Sequence, residues 1–197
     1  MEIYTYISGN LYEFFGVLFS FIYVFFSIKQ SILCWPVLII ASVLNMIAYN
    51  NIGLPLQVGM QFFFIGTAIY GWHNWNSDNT LTLKVTRFGI VNNIKFISLG
   101  LILTLILTFI LNQLTLDGVM YSEYPFWDSL MFMFNIIPMY MMGKKILESW
   151  VYFIVIDIIS GCFWFTTNEY FYCILFFGYI PFAITGFIEW KKTCIND

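Results

Sequence analysis

The chain has 197 residues, 60% of them hydrophobic and only 10% charged, with a mean hydropathy of +0.82. A soluble domain carries about 25% charged residues because its surface must face water. A soluble particle is therefore excluded and the chain is an all-α membrane protein. Eight basic residues and a net charge of −3 also exclude an electrostatic footprint for nucleic acid.

A transmembrane helix needs about 20 mostly apolar residues, with every backbone polar group paired inside it. Met1–Asn10 lacks a basic n-region, so no cleaved signal peptide is expected. Taken in order, the predicted spans are Leu11–Ile28, Cys34–Tyr49, Leu54–Trp75, Ile94–Asn112, Pro125–Gly143, Leu147–Phe165 and Tyr170–Trp190. Their continuous apolar runs do not alternate as barrel strands would. The long connections are Asn76–Asn93 and Gln113–Tyr124. Lys29, Lys84, Arg87, Lys95, Lys144, Lys145, Lys191 and Lys192 all fall after odd-numbered spans or around the third connection. The positive-inside rule then places the N-terminus outside and the C-terminus in the cytoplasm.

The two halves match at one fixed offset of 115 residues, which lays Glu13 on Asp128, Lys29 on Lys144 and Trp35 on Trp150. The stretch from Ala68 to Trp75 falls on Ala183 to Trp190. Three is odd, so two like-oriented three-helix repeats need one additional helix between them. The expected domains are a first repeat over 1–75, a cytoplasmic loop over 76–93 and a linker helix over 94–112 facing lipid. An outer loop over 113–124 and a second repeat over 125–197 complete this 3+1+3 plan of seven transmembrane helices in parallel repeats. Transporters built from repeats bind substrate near the midplane at the repeat interface.

Asp157 lies mid-way along the sixth span, where a carboxylate costs about 2.5–3.5 kcal/mol and so faces the bundle interior or water. No basic residue lies in a span core to pair with it. It is either protonated, hydrogen-bonded to neutral neighbours, or matched to a cationic ligand. Trp72 and Trp75 share one helix face, and Trp150 lies about 10 Å along the helix from Asp157. These rings read either as an interfacial belt or as a clamp that stacks a cationic heterocycle. Trp35, Trp127 and Trp190 are assigned to the belt. Asn45, Gln57, Gln61, Asn135 and Ser160 offer hydrogen bonds within spans, either to substrate or as interhelical glue. Pro36 and Pro138 are expected to kink their helices. The four cysteines show no metal spacing. No nucleotide-binding, zinc-hydrolase or Ser/His/Asp motif is present, so no enzyme and no cofactor is expected.

These residues carry a resemblance. Cys34-Trp35-Pro36, Leu56-Gln57, the run from Tyr70 to Trp75, Trp127-Asp128-Ser129, the run from Lys144 to Trp150, Asp157-Ile158-Ile159-Ser160, and Gly186 with Trp190 together resemble the PnuC family of bacterial vitamin transporters. Trp72 and Trp75 are similar to that family's WxxW motif. The resemblance implies a SWEET-like fold, a homotrimer in the bacterial inner membrane, and facilitated diffusion of nicotinamide riboside, or alternatively thiamine. It also implies a cytosolic kinase that traps the substrate, and it favours the clamp for Trp72, Trp75 and Trp150. Phe153 stands where the pattern would place another Trp. A sugar facilitator and a non-transporting membrane sensor or scaffold remain as alternatives on the residues alone.

Overall fold

The computed structural model describes residues 11–51, 55–76, 83–119, 121–167 and 170–194. The N-terminal ten residues, Leu54 at the start of the third predicted span and residues 77–82 of the central loop lie outside the described residues. The described residues form seven α-helices: α1 Leu11–Ile28, α2 Cys34–Asn51, α3 Pro55–Trp75, α4 Ile90–Leu116, α5 Pro125–Gly143, α6 Ser149–Thr166 and α7 Tyr170–Thr193. Among them there is no strand, only an isolated parallel bridge between Thr86 and Ile146. Helices dominate because each apolar run must satisfy its own backbone where lipid offers no partner. Five of the seven (α1, α2, α4, α6 and α7) are long and apolar enough to cross a membrane on composition alone. In α3 and α5, Gln57, Gln61, His73, Asn74, Asp128 and Asn135 dilute the apolar content.

The chain divides into two compact units, Met1–Thr82 and Leu83–Asp197. In the first, α2 packs on both α1 and α3. Two glycines set the distances of approach. Gly16 leaves room for the Asn45 amide, and Gly71 for the Trp35 ring, which fills the space a Cβ would need. Small residues at helix contacts let side chains from the neighbouring helix seat against backbone.

The second unit runs α4 against α5, α5 against α6, and α6 against α7. Gly100 of α4 faces Phe134 and Ile137, Gly161 of α6 faces Phe177, and Gly186 of α7 faces the Trp150 ring. The predicted lipid-facing helix therefore has one packed stripe, with Gly100, Thr104 and Leu111 buried, while Ile94, Leu101, Ile102, Leu105 and Phe109 stay exposed. α4 also extends beyond its predicted bounds at both ends, spanning about 40 Å at 1.5 Å per residue. At its start Asn92 and Asn93 donate side-chain hydrogen bonds to the carbonyls of Phe88 and Gly89. Polar residues there carry helix through the interfacial zone, and hydropathy alone stops short of it.

The offset of 115 recurs in local geometry. α2 and α6 begin and end at matching positions, Cys34 with Ser149 and Asn51 with Thr166. Before each helix, the chain reverses through the only two non-glycine residues with positive φ among the described residues, Gln30 at 53° and Lys145 at 52°. In both turns the next residue bonds back five positions, Ser31 N–H to Phe26 and Ile146 N–H to Met141, each at 3.0 Å. Each turn also sets a lysine over the aromatic ring four residues earlier, Lys29 on Phe25 at 4.2 Å and Lys144 on Tyr140 at 4.8 Å. One packing solution is used twice.

Pro36 corrects an expectation. It sits in the first turn of α2, where backbone N–H groups have no intrahelical acceptor, so its ring removes no hydrogen bond. Pro138 and Pro181 lie inside α5 and α7, and both helices continue through them.

Candidate substrate site

The ten candidate residues divide between the units. Asn45, Gln57, Gln61, Trp72 and Trp75 lie in the first, and Asn135, Trp150, Phe153, Asp157 and Ser160 in the second. In the second, four of the five lie on α6, the middle helix of its triplet; in the first, only Asn45 is on the middle helix α2 and the other four are on α3.

On α6, Asp157 is only 7% exposed, and among the described residues no group donates a hydrogen bond or pairs an ion with it. Ser160 follows three positions later on the same face and is fully buried, with no partner for its Oγ among the described residues. Two turns before Asp157, Trp150 is 2% exposed, and its indole Nε1–H likewise finds no acceptor. Its ring is wedged against Gly186 and meets Trp190 edge-on, centroids 5.5 Å apart at 86°. Phe153 lies half-buried at 6.4 Å from the Trp150 ring, tilted by 59°. Trp150, Asp157 and Ser160 thus form a stripe about 15 Å long at helical rise of buried polar groups that the protein itself leaves unsatisfied. Such groups are costly unless a water or ligand completes them.

The contrast with other hydroxyls sharpens this. Ser20, Ser27, Thr67, Thr104 and Ser129 all return their hydroxyl hydrogen to a carbonyl one turn back in their own helix. Ser160 does not, and neither does Ser42 of α2, which is 1% exposed with an unpartnered Oγ. Under the offset, Ser42 falls on Asp157, Asn45 on Ser160 and Trp35 on Trp150. The Trp35 indole N–H is buried and unpartnered as well. The repeat offset marks Ser42 in the sequence as the counterpart of Asp157, but serine is unremarkable in a membrane helix and Ser42 is not among the predicted site residues.

The remaining candidates are more committed. Asn45 donates to Ser20 Oγ at 3.3 Å, and the Asn135 amide donates to the Met131 carbonyl one turn back. Gln61 is buried and Gln57 half-buried. Trp75 packs edge-on against Trp35, centroids 5.1 Å apart at 82°, whereas Trp72 is 42% exposed. Trp35 and Trp190 correct the belt assignment: both are fully buried, each being the edge-on partner of another Trp. Near-interface sequence position placed them in a belt, but Gly71 admits the Trp35 ring and Trp150 packs edge-on against Trp190, which draws both into the packing.

A model of the nicotinamide mononucleotide transporter family matches residues 10–192. The chain belongs to that family. Its members are membrane transporters rather than enzymes. The nicotinamide riboside transporters PnuC of Escherichia coli K12 and of Shigella flexneri are each 29% identical over 136 residues, covering 58% of this chain. The match spans 57% of the length of those two relatives. The crystal structure of the vitamin B3 transporter PnuC superposes with a TM-score of 0.76, covering 96% of this chain and 84% of that one at 15% identity. This second likeness establishes the fold, that of a multi-pass helical membrane protein of this transporter family.

Proposed function

We propose that this member of the nicotinamide mononucleotide transporter family carries nicotinamide riboside into the cell by facilitated diffusion, with alternating access and no ion coupling. The observation that carries the reading is the unsatisfied stripe on α6. An unpaired buried carboxylate suits a cationic pyridinium ring. The Ser160 hydroxyl and the Trp150 N–H suit a ribose, whose hydroxyls both donate and accept. In the second unit Phe153 adds aromatic surface and Asn135 further hydrogen-bonding capacity; in the first, Trp72, Trp75, Asn45, Gln57 and Gln61 offer groups of the same kinds. Thiamine, also a cationic ring, is the second reading.

The nucleoside is favoured over its phosphorylated form by charge. Lys191, Lys192 and His73 stand in the last turns of their helices, and Lys95 in the second turn of α4. Among the described residues α6 itself carries no basic side chain beside Asp157 to hold a phosphate, which a carboxylate would repel. We further propose a homotrimer in the bacterial inner membrane, N-terminus outside and C-terminus cytoplasmic, with a cytosolic kinase trapping the substrate. The domain plan of two three-helix repeats around a linker is part of the same proposal.

Uptake into proteoliposomes tests the reading. Labelled nicotinamide riboside should enter saturably, down its gradient, and indifferently to a protonophore. The mononucleotide and glucose should not enter. Uptake of the mononucleotide, or no flux of any probe, overturns the reading. Within the same assay, Ser160→Ala should change the melting temperature little, because its hydroxyl has no protein partner to lose. It should still weaken substrate affinity, by roughly fivefold for one neutral hydrogen bond of about 1 kcal/mol.

A further inference from the structure

The segment entering α4 is tied to the turn that starts α6. Thr86 N–H donates to the Lys145 carbonyl at 3.1 Å, and Leu147 N–H donates to the Thr86 carbonyl at 2.9 Å, which makes the parallel bridge of Thr86 with Ile146. Two residues on, the Glu148 carboxylate accepts the Phe88 N–H at 2.9 Å. Gly89, at φ 77°, then turns the chain into α4, and the Tyr152 hydroxyl donates to Asn93 Oδ1 at 3.1 Å. Val85 is buried beneath the segment. Residues 83–93 thus hold the turn into α6 at three points and its first helical turn at a fourth, on either side of Trp150.

The first triplet shows that folding of the turn does not require this strap. It builds the same left-handed reversal and the same back-bonded turn. Yet at the position of Glu148 it carries Leu33, 52% exposed, and at that of Tyr152 it carries Val37. The two strap anchors occur only on the helix that also carries Asp157 in place of Ser42. An addition unnecessary for the fold, confined to the helix with the unsatisfied carboxylate, points to that helix's function.

We propose that Glu148 and Tyr152 are positioning residues: through the strap they fix the first turn of α6, and with it the register of Trp150 and Asp157 for substrate. This rests on the transport reading above. The strap stays docked throughout the transport cycle, acting as a splint and not as a gate.

The test uses the full chain in proteoliposomes with labelled nicotinamide riboside, alongside binding and thermal unfolding in detergent. Glu148→Ala should weaken affinity by about five- to tenfold, less than the full worth of a charge-assisted hydrogen bond because it reaches the ligand only through geometry, with little change in melting temperature. Glu148→Gln should restore most of it, because an amide oxygen still accepts the Phe88 N–H. Tyr152→Phe should act in the same direction, and the double variant should fall short of the product of the two effects, as residues of one network do. Unchanged affinity in Glu148→Ala, or Glu148→Gln as damaging as Ala, overturns the proposal. So does an affinity loss that merely follows loss of folded protein. Thr86→Cys with Ile146→Cys, in a background with Cys162 and Cys194 replaced by serine, should leave uptake unchanged on oxidation. Loss of uptake that a reductant reverses means that the strap must undock, and also overturns it. If the unaltered protein takes up no nicotinamide riboside, the functional reading fails first; if it transports and the variants are silent, only this proposal fails.

Discussion

Asp157→Ser should leave the protein folded and cost it most of its affinity for nicotinamide riboside. The substitution is one the chain has already made: the equivalent position of α2 is Ser42, also buried, in a helix with matching ends. Nothing in the protein pairs with the carboxylate among the described residues, so its removal leaves no partner stranded. Removing a charged group from a low-polarity interior relieves desolvation instead. The loss therefore falls on the ligand. A charge-assisted contact to a desolvated cation is worth about 2–3 kcal/mol, or roughly 30- to 150-fold in Kd. Calorimetric titration would measure it. The dihydro form of the same nucleoside separates charge from shape, because its ring is neutral and nearly isosteric. Asp157→Asn should weaken binding of the cationic form far more than that of the neutral form. Equal losses for the two would mean that Asp157 recognises the ligand by hydrogen bonding alone, and the charge argument would fall.

How much of this was legible in sequence depends on the physics each feature uses. Spans were legible because the bilayer imposes a length and a polarity on each one, and Leu11–Ile28 and Pro125–Gly143 coincide with their helices. The repeat was legible because like positions kept like residues: Trp35 and Trp150, Lys29 and Lys144, Gly71 and Gly186. Asp157 stood out because lipid makes a carboxylate rare. What escaped was tertiary. The burial of Trp35 depends on Gly71 of the neighbouring helix and that of Trp190 on Trp150, and no window of local hydropathy contains both partners. Thr86 reaches Lys145 and Leu147 through backbone atoms, which leave no side-chain signature. Glu148 and Tyr152 carry no local signal of their contacts, because their partners Phe88 and Asn93 lie about 60 residues away in the chain. The N-terminal end of α4 was missed because helix outlasts hydrocarbon where the Asn92 and Asn93 side chains bond back to the preceding turn.

The glycines that seat Trp35 and Trp150 should be the least replaceable small residues among those described. A Cβ added at Gly186 would stand 2.6 Å from the Trp150 ring, and one at Gly71 would overlap the benzo edge of Trp35. Neither ring can swing aside. Trp35 is fully buried and held edge-on by Trp75, and Trp150 is 2% exposed and held edge-on by Trp190. The backbones must then separate, which loosens α2 from α3 and α6 from α7. Overpacking of this kind costs about 1–3 kcal/mol, so Gly71→Ala and Gly186→Ala should each lower the melting temperature by several degrees. Gly66 and Gly178 are the internal controls, since a Cβ on either meets nothing within 4 Å. Alanine there should be neutral or slightly stabilising, because glycine is the weaker helix former by about 0.8–1 kcal/mol. Thermal unfolding of the four single variants in detergent, followed by Trp fluorescence, would read the difference. Binding separates the two units further. Gly186→Ala displaces Trp150, two turns from Asp157, so it should weaken nicotinamide riboside binding beyond what its loss of folded protein explains. A Gly186→Ala protein as stable as Gly178→Ala would show that Trp150 is not wedged between its neighbours, and that the unsatisfied indole N–H is free to turn elsewhere.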